Sequence, residues 1–136
     1  MTNCLFCKIA AGELASATIF ENKDFKVILD RYPSGYGHAL ILTKEHFDDL
    51  YQIDEETAGK LFALATVIAK ALKQATGCEG MNILQNNGEV AGQSIRHFHL
   101  HLIPRYQEDG FALPWKTKEY TEKELEELAA EIRKRI

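Results

Sequence analysis

No stretch of this chain stays apolar for long enough to span a membrane, and no basic-then-apolar leader opens it. The expectation is a chain that is neither exported nor membrane-bound, located in the cytoplasm. Positive charge is also scarce: 16 Lys and Arg against 20 Asp and Glu leave a net charge of −4. That provides no electrostatic footprint for nucleic acid or an anionic membrane. A small phosphorylated ligand stays open, because it needs only local donors. Three cysteines without an export signal argue against a disulfide framework. Internal repeats, low-complexity tracts and linkers are all missing.

What remains is one ordinary globular domain, residues 1–136, large enough for a core without staples. Its main body runs from about residue 4 to 115, followed by a charged C-terminal helix over about 121–136. Cys4–Gly12 reads as a short helix ended by Gly12. Ala17–Phe20 and Phe25–Asp30 read as strands joined by a turn at Asn22-Lys23-Asp24. Arg31–Gly37 is a loop, and His38–Leu42 a third strand. Thr43 is expected to cap a short helix running through His46 to Leu50.

Asp54 is the expected N-cap of the one long helix, with Leu61, Leu64, Ala65, Ile68 and Leu72 on its apolar stripe and Gly77 as its stop. Met81–Gln85 is a fourth strand. A glycine-containing connection, Asn86–Ser94, leads into the fifth. After Pro104 an irregular stretch holds Gly110, Pro114 and Trp115. Thr121 and Glu124 then form a capping box for the last helix, whose stripe is only Leu125, Leu128, Ile132 and Ile136. Five strands in short-loop succession around one long helix predict an α+β fold: an antiparallel sheet with helices packed on one face.

The fifth strand carries the chemistry. In His97-Phe98-His99-Leu100-His101-Leu102-Ile103-Pro104 the period of two puts three histidines on one face and Phe98, Leu100 and Leu102 on the other. Imidazoles two residues apart on a strand are separated by about 6–7 Å, and the outer pair by roughly 13 Å. That suits a row of groups along a bound substrate better than one ion held by all three. A single strand histidine is ordinarily a packing residue, and H-x-H often means metal. Three in strict alternation are hard to explain by packing. Neutral imidazole can attack while a neighbouring imidazole steadies charge or protonates a leaving group. In the preceding loop Gly88 and Gly92 allow close backbone approach, and Asn86, Gln93 and Ser94 offer donors to an anion; a plain turn is the alternative.

His97–Ile103 matches the H-φ-H-φ-H-φ-φ signature of the histidine triad (HIT) family. Gly92-Gln93-Ser94 stands where that family carries its GQS element. Gly37–Ile41 and Thr43-Lys44-Glu45-His46 resemble its G-H-x-hydrophobic strand and P-K-x-H segment, with Thr43 in place of the usual Pro. The resemblance runs from about Cys4 to Trp115 and is to the Hint branch, among bacterial members that begin with C-x-x-C. It implies a HIT-like fold and a nucleotide phosphoramidase or hydrolase acting through a nucleotidyl-histidine intermediate.

Carried over residue by residue, the resemblance makes His99 the nucleophile on the α-phosphorus. His101 contacts the phosphate and aids the leaving group, and His38 supports the cluster. Gln93 and Ser94, next to Gly92, lie beside the phosphate. Asp30 takes the ribose hydroxyls, Asn86 the sugar–phosphate region, and Phe6, Ile9 and Ile28 the purine. Arg31 stands where relatives are often apolar. Transferases of the wider superfamily have Gln in place of His101, which favours hydrolysis. Hydrolysis of dinucleoside polyphosphates and a nucleotide-binding regulatory role are the competing readings.

Cys4-x-x-Cys7 with two remote histidines is a zinc set in type. In bacterial relatives the ligands correspond to Cys4, Cys7, His46 and His97, one structural zinc per chain and no organic cofactor. Two reduced cysteines in an apolar patch are the alternative. Cys78 has no partner in the sequence. The resemblance also implies a homodimer in which the region around Trp115 reaches toward the partner.

Overall fold

The computed structural model describes residues 3–113 and 115–136. Met1 and Thr2, and Pro114 of the predicted irregular stretch, lie outside the described residues. The elements follow in the order α1 (Leu5–Ala10), β1 (Thr18–Glu21), β2 (Phe25–Leu29), β3 (Ala39–Thr43), α2 (Glu55–Thr76), β4 (Gly80–Leu84), β5 (His99–Arg105) and α3 (Glu122–Arg133). The sheet is antiparallel throughout, in the order β1-β2-β3-β5-β4. The predicted α+β architecture, with one long helix and a peripheral last helix, is what the chain adopts.

Its caps are local and obey local rules. Asp54 accepts the Thr57 N–H at the start of α2, and Gly77 closes it in the left-handed region at φ +68°. Thr121 and Glu124 form the full capping box of α3. The stripe of α2 packs Leu61, Ala65, Ile68 and Leu72 against Val27, Ala39, Ile41, Phe98, Leu100 and Leu102 on one sheet face. Leu64 lies at the margin of that cluster. Among the described residues α3 buries none of its own.

Four expectations are corrected. Helices cover both faces of the sheet, not one: Phe6 of α1 packs with Ile28, Leu40 and Leu42 on the face opposite α2. The sequence periodicity of α1 is too short to reveal which side it takes. Thr43 caps no helix. It ends β3, fully buried opposite Phe25, and residues 44–52 form turns and bends. The histidine strand starts two residues late, because the Phe98 N–H donates to Phe47 O rather than to a ladder partner. His97 therefore stands just before β5. Pro104 does not stop the strand either. It pairs with Met81 beyond the last β3 rung, Ala39 with Leu102.

Candidate active site

β5 is an interior strand, flanked by β3 and β4, so its side chains are placed by two ladders. His99 stands opposite Leu42 and His101 opposite Leu40, on the face that α1 covers. Because α1 is short it leaves part of that face open as a cleft of about 800 Å³. Phe6, Ile9, Ile28 and Asp30 line it together with Ser94, His99 and His101. Arg31 lines it as well. The sequence reading missed a wall of this cleft, Leu14–Ala17, whose small and apolar residues carry no motif.

The histidines form one chain of contacts. His99 Nδ1–H donates to the His97 carbonyl at 2.7 Å, since that oxygen can only accept. Nε2 is left with its lone pair. The His99 and His101 rings lie edge-on at 4.9 Å between centroids, and Phe6 packs edge-on against His99 at 4.8 Å. His101 Nδ1 is 2.9 Å from His38 Nε2, which lies 3.5 Å from Asp30 Oδ2. Burial pushes all of these imidazoles down: His101 to about 4, with His99 and His38 adding repulsion, and His99 and His38 below their ordinary 6.5. Neutral imidazoles result, which is the form a nucleophile needs.

The glycine loop behaves differently from its expectation. Ser94 lines the cleft, but Asn86, Gly92 and Gln93 do not. Gln93 is buried, and its amide is fully occupied by backbone. Oε1 accepts the Gly88 N–H at 2.8 Å, and Nε2 donates to Asp48 O at 2.7 Å and to Ile95 O at 3.2 Å. Both Nε2 hydrogens are taken, so the Gln93 side chain braces the loop. Asn86 reaches back to the Gly92 carbonyl at 3.4 Å. Trp115 is 80% exposed and anchors no core.

A second cluster sits at the start of β5. The Sγ atoms of Cys4 and Cys7 and Nδ1 of His46 and His97 lie within 4.8 Å of one another. Their sulfur–nitrogen contacts are 3.3 Å for Cys4–His97, 3.3 Å for Cys7–His46 and 3.4 Å for Cys7–His97. A zinc tetrahedron with Cys and His ligands has such edges at roughly 3.5 Å. Both rings also have the right tautomer. His97 Nε2–H donates to the Thr43 carbonyl at 2.7 Å, and His46 Nε2–H to Asp48 Oδ1 at 2.8 Å, so each Nδ1 faces the sulfurs with its lone pair. Burial and the neighbouring Cys4 push the Cys7 thiol up, so without a cation it is no reactive thiolate. The donor set fits zinc, and all four positions are protein atoms, leaving none open to activate water. Asp48, two residues after His46, was missed in the sequence, where H-x-D carried no weight.

The HIT domain family model matches residues 11–108. This chain belongs to the HIT family. The crystal structure of a HIT family protein from Bacillus anthracis superposes with a TM-score of 0.94 at 39% identity, covering 98% of this chain and 97% of that one. The adenosine 5'-monophosphoramidase hnt1 of Schizosaccharomyces pombe is 33% identical over 98% of both chains. A zinc-bound histidine triad family protein from Mycobacterium smegmatis is 33% identical with a TM-score of 0.77, covering 86% of this HIT chain and 85% of that one. As a HIT protein this chain is a nucleotide hydrolase by family, and its Cys4, Cys7, His46 and His97 could hold a metal ion.

Proposed function

We propose that this HIT protein hydrolyses purine nucleoside phosphoramidates, AMP joined to an amine, at the α-phosphorus. The observation that carries this reading is the 2.7 Å bond from His99 Nδ1–H to the His97 carbonyl, which leaves Nε2 of a neutral ring as the free nucleophile. His99 Nε2 attacks phosphorus and the P–N bond breaks, with the amine leaving as its nitrogen gains a proton. Water then cleaves the P–N bond to His99 and releases AMP. His101 contacts the phosphate and aids departure of the amine, with His38 behind it. Phe6, Ile9 and Ile28 hold the purine in the apolar part of the cleft. Asp30 accepts from the ribose hydroxyls, and Ser94 donates to the phosphate. The resemblance to a named AMP phosphoramidase over 98% of both chains supports the substrate class.

Zinc bound by Cys4, Cys7, His46 and His97 would supply a structural cross-link between α1, the turn after β3 and the start of β5. It has no part in the chemical step. We read the active form as a cytoplasmic homodimer. β4 lies at the sheet edge, and Phe62 and Val67 of α2 are more than half exposed. Among the described residues no helix is long and apolar enough to cross a membrane.

The test is acid quenching during turnover of an AMP–lysine conjugate, followed by peptide mapping. AMP is expected on His99, and His99→Ala should lose turnover by at least about a thousandfold. Full activity in that variant would end the reading. A light-scattering mass of one chain would end the dimer.

A further inference from the structure

We propose that Ser34, outside the cleft, is a positioning residue that locks the tautomers of His38 and His101, so that His101 meets the substrate as an N–H donor. The inference rests on the phosphoramidase reading for its catalytic consequence, but not for its geometry.

Ser34 sits in the loop between β2 and β3. Its backbone N–H lies 3.0 Å from His38 Nδ1, and its Oγ 3.1 Å from the same nitrogen. A backbone N–H can only donate, so Nδ1 must carry a lone pair and the proton of neutral His38 sits on Nε2. The Oγ–H can add a second donor to the same atom. Nε2 of His38 is 2.9 Å from His101 Nδ1. With a proton on the His38 side of that contact, His101 Nδ1 must accept, and its own proton sits on Nε2. His99 is set the opposite way by the His97 carbonyl. Two imidazoles two residues apart on one strand thus face the cleft with opposite hydrogen-bond character: His99 a lone pair for phosphorus, His101 an N–H for a phosphoryl oxygen or the leaving nitrogen.

The charged and titratable groups packed around this chain agree with the assignment. Asp30 Oδ2, 3.5 Å from His38 Nε2, favours a proton on that nitrogen. The other oxygen of Asp30 accepts the Tyr32 N–H. Among the described residues His99 is the only other titratable group in ring contact with His101, at 4.9 Å between centroids. The lock also removes an alternative. Asp30, His38 and His101 offer ligand atoms close enough for a metal ion. A ring whose Nδ1 accepts from a backbone N–H carries hydrogen on Nε2 and cannot ligate through it. At the cysteine cluster the same reasoning runs the other way, because His46 and His97 donate through Nε2 and keep Nδ1 bare.

The test is imidazole nitrogen chemical shifts in ¹⁵N-histidine-labelled protein at neutral pH, read for the wild type, Ser34→Ala and Ser34→Pro. The wild type should show bare Nδ1 and protonated Nε2 on both His38 and His101, and the reverse on His99. Ser34→Ala keeps the backbone N–H and should keep both tautomers. Ser34→Pro, which removes that N–H, should show mixed tautomers on His38 and His101, with kcat down about tenfold and KM within about twofold. A protonated Nδ1 on His38 in the wild type would overturn the lock, and so would a folded Ser34→Pro protein with wild-type shifts and kcat. The shifts need no substrate, so they stand apart from the function. Correct tautomers without turnover of AMP–lysine would sink the phosphoramidase and leave the lock intact. Turnover with reversed tautomers would do the opposite.

Discussion

His99 Nδ1–H donates to the carbonyl of His97 at 2.7 Å, and His97 offers its own Nδ1 to the two cysteines. One residue therefore serves the candidate zinc with its side chain and the candidate nucleophile with its backbone. The strand spacing keeps the two functions on adjacent positions of one face without sharing an atom.

Zinc should for that reason matter to more than stability. Protein purified without chelator is expected to hold about one zinc per chain. Stripping it should lower Tm and also kcat, because the carbonyl that fixes the His99 tautomer loses its anchor. Asp48→Asn should weaken zinc by about 10- to 100-fold in a chelator competition, since the His46 Nε2–H then meets a weaker acceptor. Metal-free protein with unchanged Tm would refute the site.

Acid should destabilise the fold in a defined window. Burial holds His97 and His101 at about 4, against 6.5 when exposed. Between those values the unfolded chain binds more protons than the native one, so stability falls as pH falls. The contribution is complete above pH 6.5 and lost toward 4. Metal release from His97 has the same sign. Thermal melts should drop steeply over that range, and a flat Tm would contradict the neutral-histidine assignment.

Gln93 and Ser94 are neighbours that should fail differently. Gln93→Ala leaves the half-buried Gly88 N–H and the Asp48 carbonyl without their partner, at a cost of about 1–3 kcal/mol. Ser94→Ala should melt as the wild type does and lose turnover. Equal Tm values for the two variants would show that Gln93 is no brace.

Gly37 stands before His38 at φ +88°, where an added Cβ would lie 2.8 Å from Thr76 Cγ2 and 3.2 Å from Pro104 Cγ. Gly37→Ala combines an unfavourable backbone with a clash against two elements. It should cost more than about 1 kcal/mol by denaturant melt, and kcat should fall with it as His38 shifts.

Periodicity and end signals are local, and the sequence alone determined what depends on them. The alternation from His97 to Leu102 separated a functional face from a core face. Asp54, Gly77 and the Thr121–Glu124 box marked helix ends that the chain respects. Composition bounded the partners, and the triad signature placed the family. The tertiary structure decided what depends on partners far along the chain. Which face α1 covers follows from Phe6 meeting Ile28 and Leu40, not from anything within α1. Gln93 became a brace because Asp48, 45 residues away, offers it a carbonyl. Thr43 became the acceptor for His97 because β3 runs to its end beside that ring. The three histidines read identically in the sequence. Their protons are assigned by the Thr43 and His97 carbonyls and by Ser34, so hydrogen-bond direction at long range gives each its own chemistry.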